Sequence, residues 1–200
     1  MAKPHKIKND LHIETALACS EAFNRSSEVF IEKALKQNKI LKDIPEGVLN
    51  KAHEQNFGDL VVCASNLSFA IELNLKCLYS LLSLPFTKTH DLLKLYNDLP
   101  ENIKSEIEER YEKGRTTPTP VSVSITVALA PHQEVPEWPD DSLESKRLPN
   151  VLERSKSVFT EWRYIFEVQP MKQFKFEYLL LSFGCIAIKA TIDGLMENNK

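Results

Sequence analysis

The stretch from Leu60 to Leu84 reads LVVCASNLSFAIELNLKCLYSLLSL. Its apolar residues (Leu60, Val61, Cys63, Leu67, Ala70, Ile71, Leu75, Leu78, Leu81 and Leu82) fall at helical spacing and cover most of the circumference. A helix apolar nearly all round is packed on several sides. Residues 57–84 therefore read as a central helical column, stopped by Pro85. Between Leu60 and Thr87 the only charges are Glu72 and Lys76, at i, i+4 and in the order that favours pairing. A lipid-spanning helix needs about 20 mostly apolar residues and rejects charge at its centre. The column thus reads as a soluble core helix, with no membrane partner.

Outward from the column, the flanking segments are helical too. Over residues 14–41, Ala16, Phe23, Phe30, Ala34 and Leu41 form one stripe, and Glu21, Arg25, Glu28, Glu32 and Lys36 lie opposite. A short helix is expected after Thr89, its N-cap, with Asp91 in the first turn and Leu92, Leu93, Leu95 and Tyr96 following. Pro100 suits the start of a charged, peripheral helix over 101–113, closed by Gly114. Residues 150–168 present Val151, Val158, Phe159, Trp162, Ile165 and Phe166 on one face. A last helix, 174–196, is apolar on most sides; Gly184 in its middle costs about 1 kcal/mol against alanine, and implies close approach to the column near Ala64, Ser68 or Ala70.

Residues 114–149 differ. Six of the 11 prolines lie between 118 and 149, the mark of an insertion or functional loop. Within it Val121, Val123, Ile125, Val127 and Leu129 alternate strictly, which reads as a strand. The same residues include Val121, Ile125 and Leu129 at helical spacing, so a helix is the rival reading. A lone strand must find a partner for its backbone: a second strand in the insertion, another copy of the protein, or the bundle surface. A partner protein that takes up residues 116–132 as an added strand is a further expectation.

The fold class expected is all-α: an up-and-down bundle of four main helices with short extra helices and a Pro-rich insertion carrying one strand-like segment. The domain limits are a polar tail (1–13), a first bundle part (14–113), the insertion (114–149) and a second bundle part (150–197).

The 200 residues, 42% hydrophobic, are enough for one domain with an insertion. Only 5 glycines exclude collagen-like repeats, and a net charge of −3 excludes a global basic field for nucleic acid. Polar residues 1–10 have no apolar run after them, so no secretory signal is read and the expected location is cytoplasmic. Cys19, Cys63, Cys77 and Cys185 form no C-x-x-C pair and lie in apolar stretches. They read as four reduced, buried thiols. The histidines (His5, His12, His53, His90, His132) have no ligand spacing, so no metal and no cofactor is expected.

Three stretches together resemble a known family. They are Ala70–Leu78 (AIELNLKCL), Thr89–Tyr96 (THDLLKLY) ahead of Leu99-Pro100, and Trp162–Glu167 (WRYIFE) before the final apolar helix. In order and spacing they resemble the HEPN domains, small helical bundles of prokaryotic defence systems, toxin–antitoxin modules and RNA-processing factors. The resemblance covers roughly 14–113 and 150–196. It implies a homodimer and, in many members, a metal-independent ribonuclease. There an arginine, followed after four to six residues by a histidine, acts in a dimer groove. The histidine moves a proton at the ribose 2′-hydroxyl and the arginine holds the phosphate. The matching arginine here is Arg163, but the histidine positions hold Val168, Gln169 and Pro170. The resemblance thus implies the fold and the dimer without the nuclease.

The expected function is a non-catalytic, homodimeric binding or regulatory protein, with RNA or a nucleotide as ligand. Its candidate ligand-binding residues are Glu72, Lys76, Arg163 and Glu167, against ordinary i, i+4 ion pairs as the plainer reading. The two pairs are also placed to face each other as a four-member network. The alternative is a divergent ribonuclease using Arg163, Tyr164 and Glu167, or His90. For His90 the plainer reading is a helix-start histidine bonded locally, and for Phe159, Trp162 and Phe166 it is core packing.

Overall fold

The structure, a computed structural model, describes residues 5–41, 49–85, 87–116, 125–128, 142–156 and 173–198. Its elements are α1 (His5–Leu41), α2 (Leu49–Leu81), α3 (Leu92–Asn97), α4 (Glu101–Arg115), β1 (Ile125–Ala128), α5 (Leu148–Arg154), β2 (Gln173–Phe176) and α6 (Tyr178–Asn198). The fold is all-α, with one short two-stranded ribbon among the described residues.

Helix α1 begins at His5, so the expected tail is helical from that residue. It runs antiparallel to α2. The Cys77 thiol lies near the Ile13 carbonyl, Ser20 Oγ donates to the Ala70 carbonyl, Asn66 Nδ2 donates to Ser26 Oγ, and Lys33 Nζ donates to Asp59 Oδ1. The buried row of α1 is Ile13, Leu17, Ser20, Ser27, Ile31 and Ala34. Steps of four, three, seven, four and three are those of a helix–helix seam. Of the expected stripe, Ala34 belongs to this row, while Ala16, Phe23 and Phe30 sit half-buried at its edge. Ser20 and Ser27 belong to the row because they are small and use backbone carbonyls as acceptors, at 3.0 and 2.7 Å. They are therefore buried without an unmet hydroxyl.

Helix α2 ends before Pro85 by its own geometry. Ser83 takes φ 55°, its N–H donates to the Ser80 carbonyl, and that of Leu84 donates to the Tyr79 carbonyl at 2.8 Å. This is a Schellman cap with serine where glycine is usual. The cap of α3 is Asp91, not Thr89: Asp91 Oδ1 accepts from the Lys94 N–H at 2.9 Å.

Helix α6 lies against α2, α4 and α5. Asn74 meets Cys185, while Lys189 meets Glu21 of α1. Helix α4 is a wall of the core and not peripheral, because Ile103, Ile107 and Tyr111 are buried and it packs along α6. Gly114 lies inside it and does not close it. Of the helix expected over 150–168, the described part is α5, which ends at Arg154 with Ser155 (φ −110°, ψ 9°) as its cap; residues 157–168 lie outside the described residues. The last helix starts at Tyr178, since Phe174 and its neighbours are strand. β2 pairs antiparallel with β1, Ile125 opposite Phe176 and Ala128 opposite Gln173. The partner of Ile125–Ala128 is thus a segment of the same chain outside the insertion. Residues 121–124 and 129–130 lie outside the described residues.

Gly184 faces Leu148 of α5, where an added Cβ would come within 2.9 Å of Leu148 Cδ1. The close approach is therefore to α5 and not to Ala64, Ser68 or Ala70. Gly194 would meet only ordinary contacts, 3.5 Å to Arg110 Nη2. Gly194→Ala is expected to raise stability by about 0.5–1 kcal/mol through helix propensity. Gly184→Val is expected to lower it by about 1–3 kcal/mol through overpacking. Urea denaturation of both variants measures the contrast, and equal effects would remove the Leu148 contact as the cause.

Gly58–Leu81 and Tyr178–Asn198 are long and apolar enough to cross a membrane by length and composition alone. Within the protein their most apolar windows are 61% and 39% buried, respectively.

Candidate functional site

Glu72 lies on the inner face of α2, 1% exposed. A carboxylate taken that far from water needs partners on its lone pairs. Lys76, one turn later, supplies its ammonium at 2.6 Å from Oε1. The second partner comes from outside the helix: His90 Nδ1 stands 3.0 Å from both Oε1 and Oε2. The Lys76 and His90 side chains are 18% and 51% exposed. The site is a carboxylate floor with a cation and an imidazole above it, open on the histidine side.

The loop that brings His90 there is built by short side chains. Thr87 Oγ1 accepts from the Thr89 N–H, Thr89 Oγ1 from the Asp91 N–H, and Asp91 caps α3. Helix α3 is anchored below by buried Leu92, Leu95 and Tyr96, and by Tyr79, whose hydroxyl donates to the Leu95 carbonyl at 3.1 Å. The Leu92 N–H donates to the Lys156 carbonyl. The chain therefore passes beside this loop just before residue 157.

The Glu72–Lys76 pair stands as its spacing implied. His90 does not bond only locally; its ring reaches a residue 18 positions earlier. The signal available in the sequence was the burial of Glu72 itself, since one lysine leaves a second oxygen to satisfy. Arg163, Tyr164 and Glu167, with Phe159, Trp162 and Phe166, lie outside the described residues, and so does any network joining the two ion pairs. A further buried pair went unread. Glu177, 9% exposed, accepts from Arg154 at 2.8 and 3.0 Å in a two-pronged contact. It fastens the end of α5 to the start of α6.

Chemically, Nδ1 bonded to a carboxylate fixes the imidazole tautomer and leaves Nε2 as the basic nitrogen. Among the described residues no three of His, Cys, Asp and Glu stand together as a metal-binding set. The cysteines are unpaired, and three are buried while Cys19 is exposed, which corrects the expectation of four buried thiols. Burial pushes the Cys63 and Cys185 thiols up to about 12 and Cys77 up to about 11, so none is a thiolate nucleophile near neutrality.

Two outcomes follow for the thiols. At pH 8 a thiol reagent should modify one cysteine per native chain, Cys19, and all four after denaturation; rapid labelling of several native thiols would count against it. In the unfolded chain the same thiols lose their protons near pH 9. Folding stability should therefore be undiminished below that pH and fall progressively as pH rises toward 12. Urea midpoints at pH 8, 9 and 10 measure the decline. Comparison with family models, with curated proteins and with solved structures finds no match to this chain.

Proposed function

We propose that the protein is a non-catalytic, HEPN-like homodimer that binds RNA or a nucleotide and acts as a regulatory component of a prokaryotic defence or toxin–antitoxin system in the cytoplasm. In this reading the four main helices form an up-and-down bundle and residues 116–132 are offered to a partner. The observation that carries it is the Glu72–Lys76–His90 cluster. Glu72 of the central column holds Lys76 on its own helix and His90 of the 87–91 loop, which ties that loop to α2. No histidine follows Arg163 at the spacing that catalysis in the family needs. In this reading Arg163 and Glu167, which lie outside the described residues, serve as further ligand contacts.

The second reading, a divergent metal-independent ribonuclease, has one observation in its favour. Glu72 orients His90 by Nδ1, the arrangement of a general base, and the ring is half-exposed. Mixed RNA incubated in EDTA with wild type, Arg163→Ala and His90→Ala separates the two. The proposal expects intact RNA with all three proteins and RNA binding weakened in Arg163→Ala. Cleavage by wild type that disappears in either variant overturns it. Light scattering should give twice the 22.9 kDa chain mass; a monomer would remove the dimer from the proposal.

A further inference from the structure

A cavity of about 300 Å³ opens between α1, α2 and α6, and Glu72 is not among its lining residues. Its size is at the low end for small-molecule sites. Asn74 lines it and is 1% exposed. The Asn74 amide nitrogen has only a weak acceptor, Cys185 Sγ at 3.6 Å. Its oxygen, buried, has no hydrogen-bond partner among the described residues. Asn24, on α1, also lines the cavity and likewise has a buried, unpartnered Oδ1, its nitrogen donating to Glu28. A buried amide oxygen left unmet costs about 1–3 kcal/mol. Two in one cavity mark a place built to receive hydrogen-bond donors.

The charges around the cavity say what kind of donor. Lys189 binds Asp193 at 2.6 Å and Glu21 at 3.4 Å, and Arg25 stands 3.9 Å from Glu21. Two cations and two carboxylates close on one another. A charged ligand would have to break that network, and an uncharged one would not. The Cys185 thiol is neutral because burial raises it to about 12, and Ile186 and Ala190 supply apolar contact.

We propose that this cavity binds a small, uncharged, N–H-rich molecule, of the primary amide or cyclic imide class, through the side-chain oxygens of Asn74 and Asn24. The ring of such a ligand packs on Ile186 and Ala190 while its N–H groups meet the two amides. Rotation of the Asn74 amide about its soft terminal torsion is the adjustment that presents its oxygen.

The test uses the full chain and ligand-observed NMR. The probes are nicotinamide and uracil, with N,N-diethylnicotinamide and 1,3-dimethyluracil as analogues lacking the donors. Asn74→Leu removes the acceptor at nearly constant volume. Ala190→Phe fills the cavity without touching Asn74, and decides the matter should Asn74→Leu fail to fold. The expected result is saturable binding of at least one N–H probe, weakened at least tenfold in both variants and absent for its alkylated analogue. Failure of both N–H probes to bind, equal binding of the alkylated analogues, or unchanged affinity in a folded variant overturns the proposal. The result is distinguishable from the RNA experiment, because it reads small-molecule binding through Asn74 and Ala190, and His90 is not among the described residues that line this cavity.

Discussion

Replacing Glu72 by alanine is expected to lower the free energy of unfolding by about 3 kcal/mol, the low end of the range for breaking a buried ion pair. Lys76, at 18% exposed, would be left charged and largely out of water. His90, at 51%, can turn back to water, which keeps the loss from growing. For a chain of this size the change corresponds to a fall in Tm of about 6–12 °C. Glu72→Gln should cost less, because the amide oxygen still accepts from both partners. Glu72→Leu combined with Lys76→Met should also cost less than Glu72→Ala alone, since a buried pair can be replaced by apolar residues at little loss. Urea denaturation of the three variants gives the numbers. A Glu72→Ala variant within about 0.5 kcal/mol of wild type, the range of an ordinary surface substitution, would mean that the cluster is a solvated surface pair.

Phe176→Ala should be at least as damaging, at about 3–5 kcal/mol. Phe176 is fully buried at the end of β2, opposite Ile125 of the insertion and 6.2 Å from the ring of Tyr178. It is where the ribbon enters the core just ahead of α6. The cavity left by its ring is closed in by packed helices that cannot collapse far. Leu143→Ala is the control, because Leu143 is 73% exposed and its loss should be within about 0.5 kcal/mol. If both substitutions cost the same, the ribbon is not anchored by Phe176.

The fold was legible where burial and residue type agree. The column at 57–84 is apolar on most sides, and that alone specifies a helix packed all round. The pairing of Glu72 with Lys76 is local, four residues apart, and needs no tertiary information. The seam serines are not legible in the sequence, because hydroxyl residues count as polar in any periodicity. What makes Ser20 and Ser27 buriable is a carbonyl within reach, one of them on a different helix. The break after Arg154 was not legible for a related reason. The helical periodicity continues past Arg154, but the chain turns at Ser155, where the Leu92 N–H binds the following carbonyl.

Sequence by itself determined an all-α protein with a central apolar helix, an amphipathic neighbour and a Pro-rich interruption, because those properties follow from one-dimensional spacing. Only the tertiary structure decided that His90 meets Glu72, that Gly184 answers to Leu148, that β1 finds β2, and that two asparagines share a cavity. Each of these joins residues far apart in the chain. Such contacts are selected by which surfaces must leave water together, and that choice depends on the whole set of packed helices, not on any one of them.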